Sequence, residues 1–244
     1  MIRDVIDGFL GFFSAYKDLK KYGLWKFVWI SGGLCLFIGL LFFMVISQYY
    51  DDIGGSISGF YKWEKGKSIV VKIMNIISGA LLSIGVILIF KYIILILVSP
   101  IMSLVSERVE QYDKNIAIKS GSFNLTALLR GLKLSLGNIC RELGLTLLLL
   151  LLSLIPVVAI ITGPAIFMVQ AYFAGFGNMD YTMERYYDIR QSRAFVKSNK
   201  GIAIGNGIGY VLLLMIPIVG LFFAPTLATI SSTKQILKRQ QRIT

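Results

Sequence analysis

Histidine is absent from the 244-residue sequence, and cysteine occurs only twice. The first absence removes Ser-His and Cys-His catalysis, His-ligated zinc or haem, and the usual proton shuttle at neutral pH. Cys35 and Cys140 are too few for a disulfide framework or a four-cysteine metal site, and read as small packing residues. Acidic residues number 13, and charged residues of both signs make up only 16%, well short of the roughly one quarter of a soluble domain. No carboxylate pair suits acid–base work: Asp51-Asp52 is a loop pair, and Glu107 and Glu110 flank Arg108 in an ion-pair pattern. No Walker lysine motif, GxSxG or GxGxxG stands in a strand–turn–helix context, and no strand pattern exists to supply one. The sequence therefore reads as a non-enzyme, with no cofactor and no metal implied.

What is present is apolar. Hydrophobic residues reach 56%, the mean hydropathy is +0.73, and 25 basic residues leave a net charge of +12. Too little polar surface remains to coat a soluble globule, so the expected class is an all-α integral membrane protein. On such a chain a basic excess points to orientation and to a bilayer with anionic lipids, and only then to an anionic solute. Nucleic acid is set aside as a partner, because it needs its cations gathered on one water-exposed face.

The chain reads as one membrane domain over residues 1–244. Residues 1–22 carry Ile2, Val5, Ile6, Phe9, Leu10, Phe12, Phe13 and Tyr16 at helical spacing, with Arg3, Asp4, Asp7, Ser14, Lys17 and Asp18 mostly opposite. That pattern predicts an amphipathic helix lying in the membrane interface. Acid near its start and Lys17, Lys20 and Lys21 near its end complement the helix dipole. Residues 27–46 hold no charge between aromatic flanks, and at ~1.5 Å per residue they match a hydrocarbon layer of about 30 Å. Residues 73–98 form a second expected span containing one charge, Lys91. Amphipathic helices are expected over 101–142, the second opening near Ser122 to Asn124 and ending at Arg141-Glu142.

Two further stretches share a design. Leu143 to Ile155 is 13 residues long, about 20 Å as a helix and too short to cross alone. Pro156 then interrupts it and Gly163-Pro164 offers a break; likewise Ile202 to Ile216 meets Pro217, with Pro225 beyond. The segments LIPVVAIITGPA and MIPIVGLFFAPT repeat one pattern, with a second proline eight residues after the first. They predict two proline-broken, partly penetrating helical hairpins at 143–176 and 202–231. Four short tilted helices, or two long kinked ones, remain the alternatives. Gly201, Gly205, Gly207 and Gly209 predict close backbone packing against a neighbour. With the N-terminus inside, 20 basic residues fall on the inner side and four in the outer loop, which fits the positive-inside rule. Both termini are then expected in the cytoplasm.

Two places carry candidate chemistry. Lys91 reads either as a cation facing an anion path or as a side chain snorkelling about 10 Å to the helix end. In Tyr22-Gly23-Leu24-Trp25-Lys26 the glycine allows a turn, and the N–H groups opening the next helix form a potential anion site with Lys26 beside them. The plain alternative is a helix-breaking glycine and an interfacial Trp-Lys anchor.

Four further pieces carry a resemblance: SPIMSLVSERVE at Ser99 to Glu110, Arg141-Glu142, QAYFAGFGNMDYTMER from Gln170 to Arg185, and IPIVGLFFAP ending at Pro225. In order and spacing they resemble the CysZ-type sulfate permease family, whose domain is shared with the etoposide-induced protein 2.4 group. The resemblance covers nearly the whole chain. It implies a multi-pass protein of the bacterial inner membrane, assembled as a homo-oligomer, that admits sulfate for cysteine biosynthesis by proton- or gradient-driven or channel-like entry. The family's Gly-Leu-Arg motif and following arginine match Gly23, Leu24, Trp25 and Lys26, with tryptophan in place of the first arginine. Lys26 keeps a charge but lacks the bidentate fork of arginine. Glu107, Arg108, Arg141 and Glu142 match charged positions of the family and, with Lys91, are the possible pore-lining residues. The other functional reading is a non-conducting, membrane-organising or lipid-interacting protein of the same fold.

Overall fold

The first helix stops where the sequence supplies a glycine. In the computed structural model, which describes residues 1–58, 93, 96–115, 125–216 and 218–241, α1 covers Ile2–Lys21 and α2 covers Trp25–Ser58. Gly23 adopts φ +62°, the left-handed region that a side chain resists. Its N–H donates to the Lys20 carbonyl at 3.2 Å and the Leu24 N–H to the Leu19 carbonyl at 2.9 Å. This is a Schellman closure of the helix end. The chain leaves it bent, with α1 and α2 meeting at 116°.

The other helices are α3 (residues 96–113), α4 (Leu125–Leu152), α5 (Pro156–Met183), α6 (Ile189–Ser198), α7 (Lys200–Leu214) and α8 (Val219–Gln240). All regular structure among the described residues is helical. The chain divides into two units, Met1–Gly33 with Val98–Thr244, and Leu34–Leu97. In the second, α2 continues from Leu34, with Cys35 and Ile38 buried and Phe37, Leu40 and Leu41 exposed. The expected span at 27–46 lies within α2, which runs on to Ser58 and so carries Asp51-Asp52 on a helix rather than in the expected loop. The one at 73–98 falls outside the described residues except at 93 and 96–98, as do Lys91 and the proposed cap at Ser122 to Asn124.

In the first unit the core forms where α7 crosses α1, α5 and α8. Gly205 and Gly8 bring α7 and α1 together: a Cβ on Gly205 would stand 2.0 Å from the Val5 carbonyl oxygen, and one on Gly8 2.7 Å from that of Ile202. On the other face of α7, a Cβ on Gly207 would stand 1.7 Å from the Ala171 oxygen, and one on Gly175 1.8 Å from that of Ala203. The close packing expected of these glycines is present, against two neighbours rather than one. Without the hydrophobic drive that water provides, such van der Waals approach is a main source of association between apolar helices.

Helix α1 carries three faces instead of two. Gly8, Phe12, Ala15 and Leu19 are buried; Asp4 and Asp18 reach α8; Ile2, Ile6, Leu10, Phe13 and Tyr16 are exposed. Helix α8 is buried over nearly three turns, from Ala224 to Thr233, although six of those ten residues are Pro, Thr or Ser. The hydroxyls are tolerated because most find partners inside the bundle.

Three expected boundaries are corrected. Glu142 is not a helix end: α4 runs unbroken from Leu125 to Leu152, because neither glycine nor proline caps the chain there, and so the amphipathic stretch and the apolar arm are one helix. Gly163-Pro164 does not break α5, and Pro225 lies inside α8. One missing N–H costs a single ladder bond, and the rest of the ladder of a long apolar helix carries it. The chain reverses at Ser153–Ile155, just ahead of Pro156 at the start of α5, where its lack of an N–H costs nothing. By length and composition, Leu129–Leu152 and Val157–Met183 can each cross a membrane.

Candidate functional site

The turn between α1 and α2 is tied down on one side. The Tyr22 hydroxyl donates to Asp113 at 2.8 Å, and Lys21 lies 5.3 Å from the ring centres of both Tyr22 and Tyr112. Desolvation of the Tyr22 phenol, with its hydrogen bond to Asp113, raises its pKa far above the usual range, so it stays a donor. Gly23 and Leu24 spend their own N–H groups on the α1 closure, and the Leu24 side chain is fully buried. The first N–H groups of α2, on Trp25 and Lys26, meet no protein acceptor among the described residues. Lys26 is exposed, resting 5.2 Å from the Phe27 ring centre. Of the three residues expected to bind an anion, Lys26 thus offers both side chain and amide. Gly23 sets the geometry, and Leu24 anchors it.

A second polar cluster occupies the junction of α3, α5 and α8. Arg185 donates through Nε and Nη2 to Glu110 at 3.0 and 2.9 Å, and through Nη2 to Ser106 at 2.8 Å. Glu110 also accepts from Lys114 at 2.6 Å. Beyond Arg185 the hydroxyls of Ser106 and Thr182 lie 2.8 Å apart and those of Thr182 and Thr233 2.9 Å apart; Thr233 also donates to the Thr229 carbonyl. A hydroxyl seam therefore runs from charged side chains into the bundle. Nearby, the Asn178 amide donates to Asn206, which donates to the Ala228 carbonyl at 3.0 Å. The hydroxyls of Thr226 and Ser232 are buried without a partner among the described residues.

A third cluster closes α4, α5 and α6 together. Arg130 forks onto both carboxylate oxygens of Asp180 at 3.2 Å and donates to the Tyr187 carbonyl at 2.9 Å. Glu184 accepts from Ser103. Burial pushes its carboxyl up to about 7; the Ser103 bond opposes the rise, the neighbouring Asp180 adds to it, and Arg185 and Arg130 oppose it.

The expected pore-lining residues are dispersed. Glu107 accepts from Gln111 at 3.0 Å within α3, and the Nε of Arg108 is buried without a partner among the described residues. Arg141 is exposed on α4 while Glu142 is 3% exposed. No contact joins Lys26 to Glu107 or Arg108 among the described residues. The sequence reading passed over Arg130, Asp180 and Glu184, and did not single out Arg185. One signal was available: Asp180 stands in a long apolar helix, where an ionisable residue needs a partner or a role.

Paired charges folded inward, apolar side chains outward and helices long enough to cross a bilayer define an α-helical membrane protein. The chain belongs to the sulfate transporter CysZ/etoposide-induced protein 2.4 family, whose model matches residues 11–225. No curated protein sequence matches it. Membership carries a membrane transport role at the level of the family, and a transporter class rather than an enzyme class.

Proposed function

We propose that this protein admits a small oxyanion across the bacterial inner membrane, with sulfate as the default substrate feeding cysteine biosynthesis. The observation that carries the reading is the start of α2. Sulfate accepts hydrogen bonds and donates none, so a site must replace its water with donors. At the 116° bend the Trp25 and Lys26 amides open α2 without a protein acceptor among the described residues, and the exposed Lys26 ammonium belongs to the same turn. Arginine is missing at position 25, which makes binding monodentate and weaker than a guanidinium fork allows. Weak binding suits conduction, because an ion held tightly does not leave. Arg108 and Arg141 are the further cations assigned to the route. A homo-oligomer with both termini in the cytoplasm is the assembly in which it operates.

The test is uptake of labelled sulfate into proteoliposomes holding the purified full chain. Lys26→Ala should cut uptake about tenfold, the scale of one lost hydrogen bond to a charged group. Uptake no greater than in empty vesicles, at complete reconstitution, sinks the transport reading. The second reading, a non-conducting membrane-organising protein, would then stand on the exposed apolar strip of α1 (Ile2, Ile6, Leu10, Phe13, Tyr16).

A further inference from the structure

Between the polar edge of α1 and the C-terminal half of α8 lies a cavity of about 1070 Å³. Five cations line it (Arg3, Lys114, Lys234, Lys238 and Arg239) against the three carboxylates Asp4, Asp7 and Asp113. Half of these charges are matched by an opposite charge. Arg239 bonds Asp4, and Lys234 reaches Asp18 at 2.5 Å. Lys114 is held by Glu110 at 2.6 Å, and Asp113 accepts from Tyr22. Arg3 and Lys238 remain, both exposed and without a carboxylate partner among the described residues. Asp7 is the one lining carboxylate with no side-chain partner; the Gln235 amide reaches only its backbone oxygen, at 3.2 Å. Asp113 keeps its charge, since the Tyr22 hydroxyl is neutral, but Glu110 is shared with Arg185 and Asp4 with the N-terminal amine; with five lining cations against three lining carboxylates, the balance favours an anionic ligand.

The lining residue Arg3 adjoins an apolar strip of α1. Arg3, Ile6 and Leu10 follow one another at three and four residues, so they share one face of α1. Ile6 is 50% and Leu10 59% exposed, and Phe13 extends the same strip. A free phosphate satisfies the cations and leaves the strip bare. A molecule with a charged head and apolar chains satisfies both.

We propose that the α1–α8 cavity binds the phosphate headgroup of an anionic phospholipid, with Arg3 and Lys238 as its cations and the Ile6–Leu10–Phe13 strip receiving the acyl chains. The proposal rests on α1 lying in the membrane interface and is independent of sulfate conduction. Basic pockets on the cytoplasmic side of helical membrane proteins hold anionic headgroups by this chemistry. The bound lipid would lock the two ends of the chain together, since α1 and α8 already meet through the Asp18–Lys234 and Asp4–Arg239 pairs.

The experiment uses the delipidated full chain in a neutral maltoside detergent, titrated by native mass spectrometry with phosphatidylglycerol, phosphatidylcholine or inorganic phosphate. One phosphatidylglycerol per chain should bind in preference to phosphatidylcholine. The double variant Arg3→Gln/Lys238→Gln should lose about thirtyfold in affinity, the scale of two cations facing an anionic headgroup. Asp7→Asn should gain about fivefold by removing a repulsive charge. Arg190→Gln/Lys197→Gln, which removes two exposed cations on α6, should bind as wild type. Equal binding of the two lipids, or an unchanged double variant, overturns the proposal. Inorganic phosphate competing as well as phosphatidylglycerol overturns the lipid and leaves a soluble phosphate site. Should the double variant fail to fold by circular dichroism, Asp7→Asn decides alone, and no gain in affinity overturns the proposal. A fluorophore on Leu10→Cys in nanodiscs, quenched by brominated lipid, checks the interfacial position separately. Absence of quenching overturns the proposal, which seats the acyl chains on this strip.

Discussion

Glu184 shows how one residue at the end of an apolar helix imposes a pH dependence. Its carboxyl is raised from 4.5 to about 7 because burial disfavours the charged form. The folded chain therefore binds more protons than the unfolded chain between these values. Its contribution to stability is fully present below about 4.5 and is lost as pH rises through about 7. Asp4 behaves in the opposite sense, because Arg239 lowers its carboxyl; its contribution is lost only in acid and leaves neutral pH untouched. Thermal melts in detergent should fall between pH 5 and 8, and Glu184→Gln should flatten that fall, removing about 2 kcal/mol of pH dependence. A slope unchanged by the substitution would exclude Glu184 as its source. Of the site residues, the sequence showed Gly23 and Lys26 because their signals are local: a glycine after a basic helix end, then the start of an apolar run. Arg130–Asp180 and Arg185–Glu110 join partners 50 and 75 residues apart. Nothing in the spacing of either residue names the other.

At the scale of elements, what the sequence reveals is periodicity and what it conceals is continuity. The glycine series of α7 was legible because small residues at 201, 205, 207 and 209 fall on its surface at helical spacing. That the same helix serves two partners follows only from the fold, in which Gly205 meets Val5 and Gly207 meets Ala171. Charge at Arg141-Glu142 marks no boundary in α4: Glu142 is buried within the continuous helix, and Arg130 nearer its start pairs with Asp180. The contact of α7 with α5 and the open face of α4 contrast glycines of one chemistry in different surroundings. Gly207→Ala places a methyl 1.7 Å from a backbone oxygen that cannot rotate away, so it should destabilise by about 1–3 kcal/mol or more. Gly144→Ala, in α4, meets nothing within 4 Å and should be neutral or stabilising by up to ~1 kcal/mol, through lost freedom of the unfolded chain. Midpoints of thermal unfolding in one detergent compare the two. Equal midpoints would mean that α5 and α7 are not held at backbone contact.

For the whole molecule, the open question of architecture is how deep the α4–α5 pair goes. The charged ends lie together: Arg130 on α4 is bonded to Asp180 on α5, and the chain reverses at the far tip, where Leu154 is 78% exposed and Val157, Ile160 and Ile161 are exposed beside it. Two readings share that geometry. If the pair crosses fully, as the 24 residues of Leu129–Leu152 and the 27 of Val157–Met183 permit, the tip emerges into water on the outer side. If the membrane begins beyond the buried Glu142, only the last ~10 residues of α4 lie in hydrocarbon, about 15 Å of rise, and the tip stays in the bilayer. The apolar tip favours the second, since a turn that reaches water normally carries polar residues. Single cysteines placed at Lys133, Leu154 and Tyr186 in a Cys35→Ser/Cys140→Ser background separate these with a membrane-impermeant maleimide. Positions 133 and 186 should label only in inverted vesicles, as the excess of basic residues on the inner side requires. Position 154 should label from neither side until detergent is added. Labelling of position 154 from the outside would establish two full spans, and it would also move the penetrating-hairpin reading of α7 and α8 to the same test at Met215.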